Sequence, residues 1–80
     1  MSKLAEYKNF IIFFWSYDLK EKIHVHVSKN RKQKNPSKFW IDPEVSLFDK
    51  GDFTEKEIFD VERIIIKYLD TFKDRIERYR

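Results

Sequence analysis

Residues 23–27 read Ile23-His24-Val25-His26-Val27, a strict alternation of apolar and polar side chains. On a β-strand, successive side chains point to opposite faces. The alternation predicts a half-buried strand, with Ile23, Val25 and Val27 toward a core. His24, His26 and Ser28 then share the other face. These are the two histidines of the chain, and the only constellation in it that points to chemistry.

Outward from this strand, the pattern stays β on both sides. Phe10 to Tyr17 is rich in aromatic and β-branched residues and predicts a strand apolar on both faces, with Phe10, Ile12 and Phe14 on one side and Ile11, Phe13 and Trp15 on the other. A strand of that kind is covered on both sides. Leu4 to Tyr7 is β-compatible, and Asn9 in Lys8-Asn9 suits the left-handed conformation of a tight hairpin. Asp18 to Lys22 is a charged turn. Downstream, Lys29 to Ser37 is a polar loop, Lys38 to Asp42 another strand, and Pro43 a stop. Val45 to Phe48 fits a short strand or one helical turn. Asp49-Lys50-Gly51-Asp52 is a turn built on the single glycine.

The last third follows a different period. Thr54 and Glu57 form a capping box, with Phe53 and Ile58 placed for a hydrophobic staple. Ile58, Val61, Ile65, Leu69, Phe72, Ile76 and Tyr79 recur at steps of three and four. That spacing predicts one long amphipathic helix over 55–78, uninterrupted by Gly or Pro. Phe59 and Ile66 lie off this stripe, where the edge of a wide apolar face is expected to wrap into the core, a partner surface being the alternative. The predicted fold is α+β. An antiparallel β-meander of four or five strands (3–7, 10–17, 22–29, 38–42) packs against one C-terminal helix.

Eighty residues make one domain, and 18% aromatics allow a dense core despite the small size. With no cysteine, disulfides and thiolate metal sites are excluded. No apolar run approaches the ~20 residues of a membrane helix, and Met1 to Glu6 lacks a signal-peptide run. A cytoplasmic location and no membrane partner are therefore expected. The net charge of +3 is concentrated. Lys29, Arg31, Lys32, Lys34 and Lys38 fall within ten residues that hold no acid, and Trp40 follows. Cations beside aromatics can grip phosphates while rings stack on bases, so these six residues form the candidate nucleic-acid surface. A solvated loop accounts for the same composition.

For His24 and His26 three readings stand open. They can act as general acid and base on RNA, share a metal, or form a polar strand face packed against Trp or Tyr. A closed metal site needs further ligands, and Asp18, Glu21, Asp42 and Glu44 lack diagnostic spacing, so no metal site and no cofactor are assigned.

Several of these segments together resemble a widespread bacterial family of small domains of unknown function, family 4160. The matching pieces are Phe13-Phe14-Trp15-Ser16, His24-Val25-His26-Val27, Lys38-Phe39-Trp40-Ile41-Asp42-Pro43, and Gly51 with Phe53-Thr54. Glu57-Ile58 to Glu62-Arg63-Ile64 is similar as well. Ile23 departs from the family's usual proline, the basic loop is longer, and Ile76 stands where a Trp is common. The resemblance implies a gene pair of toxin–antitoxin type. The expected function is a small component of such a module, acting through contact with the neighbouring gene's product, with RNA or DNA as a further ligand of the basic loop. The alternative is a ribonuclease-type toxin using His24 and His26. The doubly apolar Phe10–Tyr17 strand adds a homodimer as the other expected partner.

Overall fold

The structure, a computed structural model, describes residues 2–14, 23–29 and 35–79. Five strands follow one another: β1 (Ser2–Tyr7), β2 (Phe10–Phe14), β3 (His24–Ser28), β4 (Ser37–Trp40) and β5 (Ser46–Asp49). All neighbouring pairs are antiparallel, and spatial order equals chain order. The expected meander is present, and the ambiguous segment at 45–48 becomes its fifth strand. Residues 15–17 of the expected second strand, the Asp18–Lys22 turn and the loop cations Arg31, Lys32 and Lys34 lie outside the described residues.

The β1–β2 hairpin pairs Tyr7 with Phe10, leaving a two-residue turn. Lys8, and not Asn9 as the sequence suggested, takes the positive φ of 54°. A right-twisted hairpin with a two-residue loop needs a left-handed residue in its turn, and register decides where it falls.

The alternation sorts side chains as expected. Ile12, Val25, Val27, Phe39 and Ile41 are fully buried in one core with Phe10 and Phe14. Ile11 and Phe13, on the other face, are also buried, at 9% and 5% exposure within the single chain. The second face of β2 is thus covered at these two residues within the single chain, as expected for a strand apolar on both sides.

The C-terminal third lies over the core face as two helices, α1 (Glu55–Lys67) and α2 (Leu69–Glu77), not as one. The break is Tyr68, at φ −108° and ψ 21°. No Gly or Pro marks it. Ile64-Ile65-Ile66 just before it is a run of β-branched side chains, stiff against the preceding helical turn. The stripe must also follow a twisted sheet, keeping Ile58, Val61 and Ile65 of α1 and Phe72 and Ile76 of α2 in one core. A bend between Ile65 and Phe72 meets both demands. It leaves Tyr68 43% exposed, although spacing from Val61 and Ile65 puts it on the buried stripe. Phe59 and Ile66 are exposed as well, at 59% and 54%, so the apolar stripe is narrower than expected. Tyr79, expected on the stripe, is exposed and meets Phe14 edge-on at 5.3 Å. Arg75 of α2 donates from Nη1 to the Leu4 carbonyl of β1 at 2.7 Å, where β1 is bulged.

The capping box is present in full. Glu57 N–H donates to Thr54 Oγ1 at 3.2 Å, and Thr54 N–H to Glu57 Oε1 at 2.8 Å. Replacing Thr54 by alanine strips a first-turn amide of its acceptor and is expected to cost about 1 kcal/mol, read as a lower urea midpoint. Glu57 also pairs with Lys29 Nζ at 3.0 Å. The Thr54 amide and the Lys29 ammonium hold its carboxyl below the ordinary glutamate value. A carboxyl depressed in the folded state stabilises the fold above its unfolded pKa, and that contribution vanishes as pH falls through the folded value. Titrating thermal midpoints from about pH 7 to about pH 3 is expected to show a smaller acid loss for Glu57→Gln than for the native chain.

Candidate functional site

The face away from the helices carries the histidines. Cross-strand register sets His26 beside Phe13 and Lys38, and His24 beside Trp40. Both imidazoles project from one face, opposite Val25 and Val27. Their ring centroids stand 5.3 Å apart, edge to face. His26 stacks on Phe13 at 5.4 Å, His24 meets Trp40 at 5.3 Å, and Trp40 meets Phe48 at 5.1 Å. The result is a continuous row of five rings across β2 to β5.

A bulge completes that row. Lys38 pairs with Asp49 and Phe39 with Leu47, which leaves Phe48 as the extra residue of β5. The bulge turns Phe48 onto the histidine face beside its neighbour Asp49. Phe48 remains 58% exposed there. Lys38 Nζ lies over both Phe48 and Trp40, at 4.8 and 5.4 Å from the ring centroids, a geometry worth about 0.5–1 kcal/mol at exposed sites.

The two histidines have different surroundings. His24 is 3% exposed, enclosed by His26 and Trp40 on the central strand. His26 is half-buried and lines a cleft of about 450 Å³ with Asn35, Pro36, Lys38, Asp49, Gly51 and Asp52. Asp49 Oδ1 accepts from Gly51 N–H at 2.9 Å, and Asp52 Oδ1 from Asn35 Nδ2 at 3.3 Å. Asp52 N–H in turn donates to the Asn35 carbonyl at 3.0 Å, so the 49–52 turn is welded to the start of β4. Among the described residues, the cleft offers one imidazole, one ammonium and two carboxylates already engaged in local hydrogen bonds.

Of the sequence-derived candidates, His24, His26, Lys38 and Trp40 are brought together. Lys29 is taken elsewhere: it stands on the helix side, paired with Glu57 and 5.3 Å over the Phe53 ring. Arg31, Lys32 and Lys34 lie outside the described residues. Of the acids considered as metal ligands, Asp18 and Glu21 lie outside the described residues, while Asp42 and Glu44 are exposed and Asp42 is 4.0 Å from Lys73. Among the described residues no three His, Cys, Asp or Glu side chains are grouped to hold a metal ion. Sequence reasoning missed Asp49, Asp52 and Phe48. Reading 45–48 as a strand hairpinned to β4 places Asp49 near Lys38, but the bulge that turns Phe48 outward has no local signal.

No helix among the described residues is long and apolar enough to cross a membrane. The family described as Domain of unknown function (DUF4160) matches residues 9–75, a span that holds the sheet from β2 onward, the cleft, all of α1 and most of α2. The chain belongs to that family. Comparison with curated proteins and with solved structures gave no match.

Proposed function

We propose that the chain is the small protein-binding component of a two-gene module of toxin–antitoxin type, and that it meets its partner along β5. The observation that carries this is the open edge of the sheet. Among the described residues β5 is the terminal strand, all four of its residues are exposed, and Leu47 and Phe48 are 43% and 58% exposed on opposite faces of it. An edge strand with unpaired backbone groups and exposed apolar side chains is a template for adding a strand from another chain. The other edge is less open: β1 is bulged near Leu4, whose carbonyl is occupied by Arg75. The occupant of the β5 edge is the product of the neighbouring gene, the pairing that the family resemblance suggests.

Co-expression with that neighbour, followed by co-purification, tests the proposal. The native chain is expected to retain the neighbour, and Phe48→Asp with Leu47→Lys to lose it while the far-UV spectrum and a cooperative melt are kept. A neighbour retained by that variant, or never retained, overturns it. Light scattering on the chain alone tells self-pairing from pairing with the neighbour.

A second reading, a ribonuclease-type toxin, draws on the cleft. His26 would move the proton and Lys38 would neutralise phosphate, with His24 holding the first imidazole in place. Two carboxylates on the same cleft oppose a phosphate diester, which ranks this reading second. Intact cellular RNA after induction of the chain without its neighbour would remove it.

A further inference from the structure

A second cleft, of about 540 Å³, opens between the β1–β2 turn and α1, at the end of the strand order opposite β5. Its charge is one-sided. Lys8 from the turn and Arg63 and Lys67 from α1 line it, against Asp60 as the one acid among the described lining residues. Its walls are aromatic, with Tyr7 and Tyr68 47% and 43% exposed, and buried Phe10 and half-buried Ile64 also line it. Tyr68 reaches this surface because the helix breaks there. Two of the cations lie over these rings: Lys8 Nζ is 5.6 Å from the Tyr7 centroid and Lys67 Nζ 5.5 Å from that of Tyr68. Beyond the cleft, α1 continues the same character with exposed Phe59 under Arg63 at 5.7 Å, and with exposed Ile66.

We infer that this cleft is a docking site for an acidic, extended segment of a partner protein carrying one apolar anchor. Three cations against one carboxylate select negative charge. The apolar lining gives an anchoring side chain somewhere to leave water, as hot-spot residues do. A single-stranded nucleic acid fits less well. The tyrosine faces on which bases would stack are overlaid by ammonium groups of the chain itself. The inference deepens the protein-binding proposal by naming a partner chemistry. It rests on that reading only in taking the ligand to be protein, and not on the β5 edge.

The test uses the full chain and a fluorescein-labelled dodecapeptide of alternating aspartate and glutamate around one central phenylalanine. The control replaces every acid by its amide. Fluorescence anisotropy is expected to show the acidic peptide bound at least about tenfold more tightly than the amide control, with the difference shrinking as salt rises. Arg63→Glu with Lys67→Glu is expected to abolish the preference, and Lys8→Glu alone, made on the opposite wall, to reduce it. All three side chains are exposed, so the far-UV spectrum should not change. Phe48→Asp should leave this binding intact, which separates its failure from that of the β5 proposal. Equal binding of both peptides, or an acidic preference that survives all three reversals, overturns the inference. So does a labelled twelve-uridine strand that binds more tightly than the peptide and is lost in the same variants.

Discussion

Gly51→Ala is expected to lower the stability of the chain by about 3 kcal/mol or more, enough to consume much of the roughly 4–12 kcal/mol available to a domain of this length. Gly51 sits at φ +60°, where a Cβ costs about 1–2 kcal/mol by itself. A Cβ at this position would also run into the Asn35 carbonyl oxygen and stand 2.7 Å from that of Pro36. Neither obstacle is a flexible side-chain end. The backbone must separate, and with it goes the hydrogen bond from Asp52 N–H to the Asn35 carbonyl, about 1 kcal/mol more. The same separation opens the cleft beside His26, whose wall is made of these residues. Urea denaturation followed by circular dichroism checks the figure, and a midpoint unchanged by the substitution would show that the two turns are not welded.

Phe39→Ala is expected to cost about 3–5 kcal/mol through the cavity it leaves. Phe39 is fully buried on β4, beside Val25 across the strand pair and within the cluster that Ile65 and Phe72 close from above. A core this small has few neighbours able to collapse into the gap. Phe59→Ala removes the same atoms from a position 59% exposed and is expected to stay within about 0.5 kcal/mol. Thermal melts of the pair decide the matter: similar losses for both would mean that Phe59 is buried in solution, for instance in an interface.

The elements legible in the sequence are those specified by neighbours along the chain. Alternation in Ile23–Val27 gave the facing of β3. Thr54 and Glu57 marked the helix start to the residue, because a capping box is complete within four positions. The helix break was not legible. Tyr68 carries no breaker, and the demand for a bend comes from the sheet beneath it. The positive φ at Lys8 is similar: the residue types favour Asn9, and the pairing of Tyr7 with Phe10 overrules them.

For the candidate site, a shared face for His24 and His26 followed from period two alone. The difference between them did not. It depends on Trp40 closing over His24, while His26 stands beside a turn that arrives from residues 49–52. Lys29 and Lys38, grouped by composition, part company because they point to opposite faces of the sheet, one to Glu57 and the other to Trp40. Charge counted along a loop does not say which side of a sheet it serves.

The contact between Arg75 and the Leu4 carbonyl also has a meaning in time. It joins residues 71 positions apart. Every strand pair, by contrast, joins neighbours along the chain, so the sheet can assemble hairpin by hairpin as the polypeptide leaves the ribosome. The clasp on β1 must wait for α2. At ribosomal speeds of 5–20 residues per second, that wait is roughly four to fourteen seconds. Throughout it, the first strand offers its outer backbone groups to any nascent chain nearby, and Arg75, once it arrives, occupies the carbonyl of Leu4.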